Sequence, residues 1–221
     1  MSNGIKLGIF ALENSGKTTI ISNIKDALVV STDNKAFTGK VAHYRYAKYE
    51  GLEHFIDTLH EKVEKYQERY GKLPRTIVID SITHLTNSID KYCNDKYTGF
   101  NVYSNLSKDI LALNAFFEEE IIPAGINIVM TGHVLYDADT AKFRIPCSGS
   151  FGKTGAWLSV LDNAAYIEVK GNKRTIHHKT SKFPCRSILD IEESQDVSTY
   201  DINEHIEMLE ALNTDSEEFV L

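Results

Sequence analysis

Long apolar runs are missing from this chain, and none approaches the roughly 20 residues that a membrane-spanning helix needs. Residues 1–6 also lack the layout of a signal peptide. There are only three cysteines, Cys93, Cys147 and Cys185, and their wide spacing and odd number fit neither a disulfide framework nor a zinc-ligand pattern. We therefore expect a protein of the reducing cytoplasm with no membrane partner.

Lysine and arginine are absent after Arg186. Residues 187–221 contain eleven Asp and Glu, whereas the residues before them contain all 24 basic and 20 of the 31 acidic residues, a balance of +4. Residues 140–186 contain nine basic residues and only two acidic ones, Asp162 and Glu168. This asymmetry predicts a polyanion-binding body, residues 1–186, followed by an acidic segment, residues 187–221.

Apolar strand patterns alternate with helical patterns along the body. The predicted strands are 5–10, 27–31, 76–81, 126–133, 163–169 and 174–180, and the predicted helices are 17–26, 51–70, 83–93 and 109–122. Residues 35–50 are predicted to be irregular or short strands, 91–103 a loop, and 137–157 a mobile loop. Alternation with crossover connections favours an α/β fold with a mostly parallel central sheet flanked by helices.

Residues 11–19, Ala-Leu-Glu-Asn-Ser-Gly-Lys-Thr-Thr, lie between the first strand and the first helix. A strand, a tight turn and a helix start in that order form a phosphate-binding loop, here with Ala11 in place of the usual first glycine. Backbone N–H groups of residues 13–18 and the helix N-terminus would receive phosphate oxygens. Lys17 would reach the β and γ oxygens, and the Thr18 hydroxyl would join a Mg²⁺ shell. The residues predicted to bind ATP are Glu13, Asn14, Ser15, Gly16, Lys17, Thr18 and Thr19.

Two further strands end in polar side chains, and the carboxyl ends of parallel strands are where ligands bind in open sheets. Asp80 ends the strand 76–81 and is predicted to hold Mg²⁺ through water beside Thr18. Thr131 and His133 end the strand 126–133 and are candidates to sense the γ-phosphate. The sequence leaves open that His133 is simply a hydrogen-bonded histidine at a strand end.

These motifs together resemble the RecA-type recombinases. The loop 11–19, the strand ending in Asp80-Ser81 and the strand ending in His133 occur in the family's order, spread over residues 5–186. Because the first strand starts almost at residue 1, the chain looks like the core-only recombinases of phages, which are associated with single-strand annealing. The resemblance implies a RecA-like phosphate-loop NTPase core, DNA-stimulated ATP hydrolysis and, for a phage protein, the host cytoplasm.

The resemblance also implies roles for individual residues. Asp33 follows the second strand, where the family places its catalytic carboxylate, usually Glu, so Asp33 would orient the attacking water. His133 stands where the family's γ-phosphate sensor is usually Gln. Nucleotide sites in the family usually lie between subunits, which implies a homo-oligomer in which a neighbour's basic residue completes the site. The candidates for this trans-acting residue are Lys179, Lys182 and Arg186, with a solvated edge as the alternative.

Two segments combine cations with aromatic rings, as single-stranded DNA sites do. One is 91–103, and the other is 137–157, where the predicted DNA-binding residues are Lys142, Phe143, Arg144 and Lys153. The implied partners are single-stranded DNA and a single-strand-binding protein or another recombination partner. Two other functions stay open: a non-recombining phosphate-loop ATPase switch that binds a protein, and a small-molecule kinase.

The acidic segment shows helical spacing from Ile202 to Leu212, with Asp201 and Glu204 placed to cap its start. Residues 213–221 beyond it combine acidic with apolar side chains. They would cover the basic surface as a polyanion mimic, dock on a partner subunit, or act only as a solubilising tail.

Overall fold

The computed structural model describes residues 3–33, 37, 39–153 and 156–215. For residues 214 and 215 it describes the backbone but not the side chains. Its strands are β1 (Lys6–Ala11), β2 (Ala27–Ser31), β3 (Ala42–Arg45), β4 (Thr76–Asp80), β5 (Asn127–His133), β6 (Leu135–Asp137), β7 (Lys142–Arg144), β8 (Asn163–Lys170), β9 (Lys173–His177) and β10 (Ser194–Asp196). Its α-helices are α1 (Lys17–Ile21), α2 (Leu52–Tyr70), α3 (Ile82–Lys96), α4 (Phe100–Phe116), α5 (Gly149–Lys153) and α6 (Ile202–Asp215). None of the described helices combines the length and apolar character needed to cross a bilayer.

Eight strands form one sheet in the order β10-β9-β8-β1-β5-β4-β2-β3. Every pairing from β8 through to β3 is parallel, whereas β9 and β10 add antiparallel strands at the other edge. The predicted α/β fold with a mostly parallel sheet is therefore confirmed. The carboxyl ends of β1, β2, β4, β5 and β8 point to one edge of the sheet, and this edge carries the candidate site.

Helices cover both faces of the sheet, so its central strands are buried on both sides, as parallel strands require. Phe10 packs with side chains of α2, α3 and α4, while its neighbour Ile9 packs with those of α1 and α6. Full burial of a side chain of this size contributes about 1.5–3 kcal/mol relative to exposure. The alternation along β1 thus fixes which helices lie on which face.

The first helix is shorter than the predicted 17–26 and ends at Ile21. The side chain of Asn203 accepts a hydrogen bond from the Lys25 amide (2.9 Å) and donates one to the Asn23 carbonyl (3.0 Å). These bonds hold residues 23–25 in a turn, because the backbone groups that would continue the helix are paired with α6 instead. Sequence periodicity alone does not reveal this competition.

The predicted loop at 91–103 is wrong, because α3 extends to Lys96 and α4 begins at Phe100. Leu85, Ile89 and Cys93 form the buried face of α3, and Lys96 lies 4.3 Å from the centroid of the Tyr92 ring, one turn before it. Gly99, with φ of 60°, then turns the chain into α4, so the helix predicted to start at 109 starts nine residues earlier. A short π-helical turn, Phe117–Ile121, follows α4.

The predicted mobile loop at 137–157 is also wrong in its described part. β6 and β7 form a hairpin, which we call the 135–144 hairpin, and α5 follows it. Gly149 has φ of 75°, a left-handed conformation that glycine adopts without strain, and it opens α5 close to Tyr103 and Ser107. Residues 154 and 155 of the predicted loop lie outside the described residues.

The acidic segment packs onto the sheet rather than standing apart from it. β10 pairs with β9, and α6 buries Ile202, Ile206 and Leu209, while Leu212 is 42% exposed. The Arg75 guanidinium pairs with Glu210, whose carboxylate also accepts a hydrogen bond from the Asn127 amide (2.7 Å). Of the predicted tip at 213–221, the first three residues continue α6 and residues 216–221 lie outside the described residues. The predicted domain boundary and the role of the tip stay predictions.

Candidate nucleotide site

The loop between β1 and α1 has the backbone shape of an anion cradle. Gly16 caps α1 with φ of 95°, and Asn14 has φ of 57°, both left-handed. The Ser15 hydroxyl donates to the Leu12 carbonyl and closes the turn from inside. This geometry leaves the first amides of α1 facing a cleft of about 390 Å³. That volume lies within the range of small-molecule pockets.

The cleft brings the predicted residues together. It is lined by Glu13, Asn14, Ser15, Gly16, Lys17, Thr18, Thr19, Asp33, Asp80, Ser81, His84, His133 and Arg174. All seven predicted loop residues and the predicted Asp33, Asp80 and His133 are in this set, although they come from four separate stretches of the chain. The sheet explains the convergence, because β1, β2, β4 and β5 end at the same edge.

Lys17 lies across the loop with only 7% of its surface exposed. Its ammonium donates to the Leu12 carbonyl (2.8 Å) and lies 3.4 Å from Nδ1 of His133. Burial lowers the pKa of Lys17 to about 8, although Asp80 and Glu13 oppose the shift. Burial, together with the charge of Lys17 and with His84, lowers the pKa of His133 to about 4. His133 is therefore neutral at pH 7. Because the Lys17 ammonium can only donate, a hydrogen bond between the two makes Nδ1 the acceptor and leaves the ring proton on Nε2.

Asp80, at the end of β4, and Thr18, in the first turn of α1, bring two side-chain oxygen atoms together. The Thr18 hydroxyl donates to Asp80 Oδ2 (3.4 Å), and the Thr131 hydroxyl donates to Asp80 Oδ1 (2.5 Å). Burial raises the pKa of Asp80, and these hydroxyls together with Lys17 oppose the rise. Thr131 thus orients the carboxylate and does not line the cleft itself.

This donor set fits Mg²⁺, which binds to proteins through one or two oxygen ligands and takes the rest from phosphate and water. Within the described ranges, no group of three or more His, Cys, Asp or Glu could hold a metal ion. A cation at Thr18 and Asp80 would therefore depend on the bound phosphates for most of its coordination shell.

His84 is a cleft residue that the sequence prediction missed. It lies in the first turn of α3, where its Nδ1 is 2.7 Å from the Ser81 hydroxyl and its Nε2 is 4.0 Å from Asp33 Oδ1. Its ring also packs edge-on against His133, with ring centroids 5.5 Å apart. The signal in the sequence was its position three residues after Ser81, since a helix start there turns both side chains to one side.

Arg174 is the second missed residue. It belongs to β9 and reaches back over the loop, so that a methyl group built on Gly16 would lie 3.3 Å from its guanidinium. The predicted strands 163–169 and 174–180, separated by a Gly171-Asn172 turn, indicate an antiparallel hairpin, as the structure has it. The sequence does not indicate that this hairpin lies beside the phosphate loop.

The three predicted trans-acting residues lie outside the cleft. Lys179 donates to the Ile191 carbonyl (3.3 Å), Lys182 lies 3.8 Å from Glu168, and the backbone of Arg186 bridges to Ala164. They do not complete the site of their own chain. A role toward a neighbouring subunit stays a prediction.

The predicted DNA-binding residues differ in their exposure to solvent. Lys142, Arg144 and Lys153 are exposed, and Arg144 lies 3.6 Å from Asp137. Phe143 is half-buried against Tyr166 and Phe183, so its ring is not free to stack on a base. The exposed ring of the 135–144 hairpin is instead Tyr136, at 57%.

Comparison with known proteins adds the family. A search of curated proteins found no match. Among solved structures, the chain is similar to a KaiC-like protein from the hyperthermophilic archaeon Pyrococcus horikoshii, with 12% identity and a TM-score of 0.48 over 79% of this chain and 78% of that one. That likeness is too distant to support a functional argument. The model of the AAA domain family matches residues 3–199, which is most of the chain and includes every residue of the cleft. The protein therefore belongs to the AAA domain family of phosphate-loop ATPases.

Proposed function

We propose that this protein is a Mg²⁺-dependent ATPase that acts on single-stranded DNA in recombination or strand annealing. The observation that carries the ATPase part is the convergence of Lys17, Asp80 and His133 on one cleft, with the Thr18 hydroxyl 3.4 Å from Asp80. The DNA part rests on the RecA-type resemblance and on an exposed cationic and aromatic hairpin beside that cleft.

Each side chain of the cleft has a distinct task in this proposal. Lys17 supplies a positive charge to the β and γ oxygens, and neutral His133 donates from Nε2 to the γ-phosphate. Mg²⁺ held by Thr18 and Asp80 would offset the negative charge of the phosphates. Most of the rate in such transfers comes from positioning and electrostatics, so a shifted side chain here costs activity without a covalent step.

Asp33 orients the attacking water in this scheme. Its carboxylate lies 4.0 Å from His84, which the Ser81 hydroxyl holds in turn. Because His84 also packs against His133, one imidazole contacts both the water-orienting carboxylate and the γ-phosphate donor. A shift of His84 would therefore move both groups together.

The 135–144 hairpin is the surface that we assign to DNA. β6 begins two residues after His133. A DNA strand bound at the hairpin would therefore affect the position of the segment that holds the γ-phosphate donor. Leu135 and Tyr136 are more than half exposed, and Lys142 and Arg144 stand on the partner strand. Lys142 and Arg144 share one face of the hairpin, where they would follow the DNA phosphates as cations do in single-strand sites. Tyr136 lies on the opposite face with Phe143.

The turn from α3 to α4 offers a second aromatic surface. Tyr97, Phe100 and Tyr103 are exposed by 38%, 82% and 51%. Monomeric proteins rarely expose several large aromatic rings together without a partner, and base stacking is worth about 1–3 kcal/mol per base.

The test is ATP hydrolysis measured with and without single-stranded DNA. We expect stimulation by single-stranded DNA that duplex DNA does not give. Indifference to DNA would favour a protein-binding switch, and phosphate transfer to a small acceptor would favour a kinase.

A matched pair of variants tests the hairpin. Lys142→Gln with Arg144→Gln should lower affinity for single-stranded DNA and reduce the slope of log affinity against log salt by about 1.4, since each phosphate contact contributes about 0.7. Lys62→Gln with Lys65→Gln removes two cations from the surface of α2 and should leave the slope unchanged. An equal slope in both double variants would place the DNA elsewhere.

A further inference from the structure

Arg174 stands in the candidate cleft without a role in the proposed hydrolysis. Its position opposite Val169 in the β8–β9 pairing places it near the turn that joins the two strands. The missing side chain of Gly16 lets the guanidinium come close, because a methyl group there would lie 3.3 Å from Nη1. The left-handed φ of Gly16 disfavours any other residue at that position as well.

The sheet order shows which part of a nucleotide Arg174 would meet. β5 and β4 lie on one side of β1 and carry His133 and Asp80, whereas β8 and β9 lie on its other side. A triphosphate with its γ-phosphate between His133 and Asp80 therefore crosses the loop toward β9. Its α-phosphate and nucleoside lie on the side of Arg174.

Three cations near Arg174 are paired within the chain. Lys170 lies 3.0 Å from Glu168, Lys182 lies 3.8 Å from the same carboxylate, and Lys179 donates to a backbone carbonyl. Among the residues that the structure describes, the Arg174 guanidinium has neither an ion pair nor a hydrogen bond. An exposed arginine beside an anion cradle, with all its N–H donors available, is suited to a phosphate.

We propose that Arg174 binds the α-phosphate of the nucleotide held by its own chain. This inference rests on the proposed ATP site and adds a contact in cis, separate from the basic residues predicted to act from a neighbour. A guanidinium offers two parallel N–H groups to two phosphate oxygens, which the ammonium of lysine does not reproduce. The contact is the same before and after loss of the γ-phosphate, so it holds ATP and ADP equally and contributes to binding, not to the hydrolytic step.

The experiment compares Arg174→Gln and Arg174→Lys with Lys173→Gln, a neighbouring exposed cation of β9 that does not line the cleft. Arg174→Gln should weaken binding of ATP, ADP and inorganic triphosphate by the same factor, about tenfold to a hundredfold. The KM for ATP should rise with little change in kcat. Arg174→Lys should recover only part of the affinity, and Lys173→Gln should bind as the parent protein does.

Three results would overturn the assignment. A loss confined to ATP with a fall in kcat would make Arg174 a γ-phosphate residue. Weaker binding of ATP and ADP with unchanged binding of inorganic triphosphate would mean that Arg174 contacts the base or the ribose. Unchanged binding of all three ligands would mean that Arg174 does not touch the nucleotide.

The same assay separates this inference from the proposed function. Lys17→Ala should lose ATP binding whatever Arg174 does, because its amine lies in the loop itself. If Lys17→Ala binds normally, the nucleotide site is wrong as a whole. If Lys17→Ala fails to bind ATP while Arg174→Gln binds it normally, the nucleotide site is correct and only the role proposed for Arg174 is wrong.

Discussion

Two buried histidines make the docking of α6 sensitive to mild acid. His178 on the β9 side and His205 on α6 are each only 1% exposed, with ring centroids 5.2 Å apart. Burial lowers the pKa of His178 to about 4, helped by the charges of His177 and Lys179, and burial lowers the pKa of His205 to about 3. Both rings are neutral in the folded protein well below pH 6.

The sign of the pH dependence follows from the two states. An unfolded histidine has a pKa of about 6.5, so between pH 6.5 and pH 4 the unfolded chain binds protons that the folded chain does not. The contribution of the two neutral histidines to the free energy of unfolding is therefore fully present above pH 6.5. It is lost progressively as the pH falls through this window. Between pH 7 and pH 5, each ring lowers the free energy of unfolding by about 1.8 kcal/mol. The pair therefore lowers it by roughly 3–4 kcal/mol, whereas the total for a typical protein is about 5–15 kcal/mol.

The assay is urea unfolding at pH 7 and at pH 5, where exposed carboxylates stay ionised. His133 also has a lowered pKa, so the variant His205→Gln isolates the contribution of the α6 interface. Glutamine can donate to or accept from the Tyr200 hydroxyl, which lies 2.8 Å from His205 Nδ1, and it removes the titrating group. We expect the loss of stability between pH 7 and pH 5 to be about 1.8 kcal/mol smaller in His205→Gln than in the parent protein. An equal loss in the two proteins would refute the reasoning, because it would mean that His205 is protonated as easily in the folded state as in the unfolded one.

Three further predictions concern the cleft and the acidic tip. Lys17→Ala should abolish hydrolysis and weaken ATP binding by at least about tenfold, with unchanged circular dichroism, and normal turnover in the folded variant would contradict the site. Asp33→Asn should keep ATP affinity and lose hydrolysis, whereas Asp80→Asn should raise the Mg²⁺ concentration needed for half-maximal rate; normal hydrolysis by Asp33→Asn would transfer the water-orienting role to Glu13. Deletion of 213–221 should tighten DNA binding at low salt, with the gain shrinking as salt rises. Loss of oligomers at unchanged DNA affinity would show subunit docking instead, and no change would leave a solubilising tail.

Features that depend on short stretches of sequence were predictable. The phosphate loop needs a strand, a turn and a helix within about fifteen residues, and all three are encoded locally between Lys6 and Ile21. Asp80 and His133 could be assigned to the same site without any contact information, because parallel strands end at a common edge. The order of the strands within the sheet was not needed for that inference.

The wrong loop predictions at 91–103 and 137–157 share one cause, because a segment rich in polar and aromatic side chains can still form helices and strands. Residues 91–103 contain few aliphatic side chains, yet Cys93 and Val102 continue the buried faces of α3 and α4. Trp157, at the end of the predicted loop 137–157, is fully buried, with its indole N–H donating to the Thr86 hydroxyl (2.9 Å). Amphipathic rings fit a helix surface as well as a loop, so composition alone does not separate the two.

Arg174 shows why the cleft could be predicted on one side of β1 only. The residues found from sequence all follow strands that run parallel to β1, so a single rule brings them to the loop. Arg174 enters on β9, which runs antiparallel, and its height above the loop depends on the β8–β9 register that pairs it with Val169. A shift of one residue in that register would turn its side chain to the opposite face of the sheet. The place of Arg174 beside the phosphate loop also depends on the pairing of β8 with β1, which joins residues 163–167 to residues 7–11. A search for basic residues by local motif would therefore pass over it.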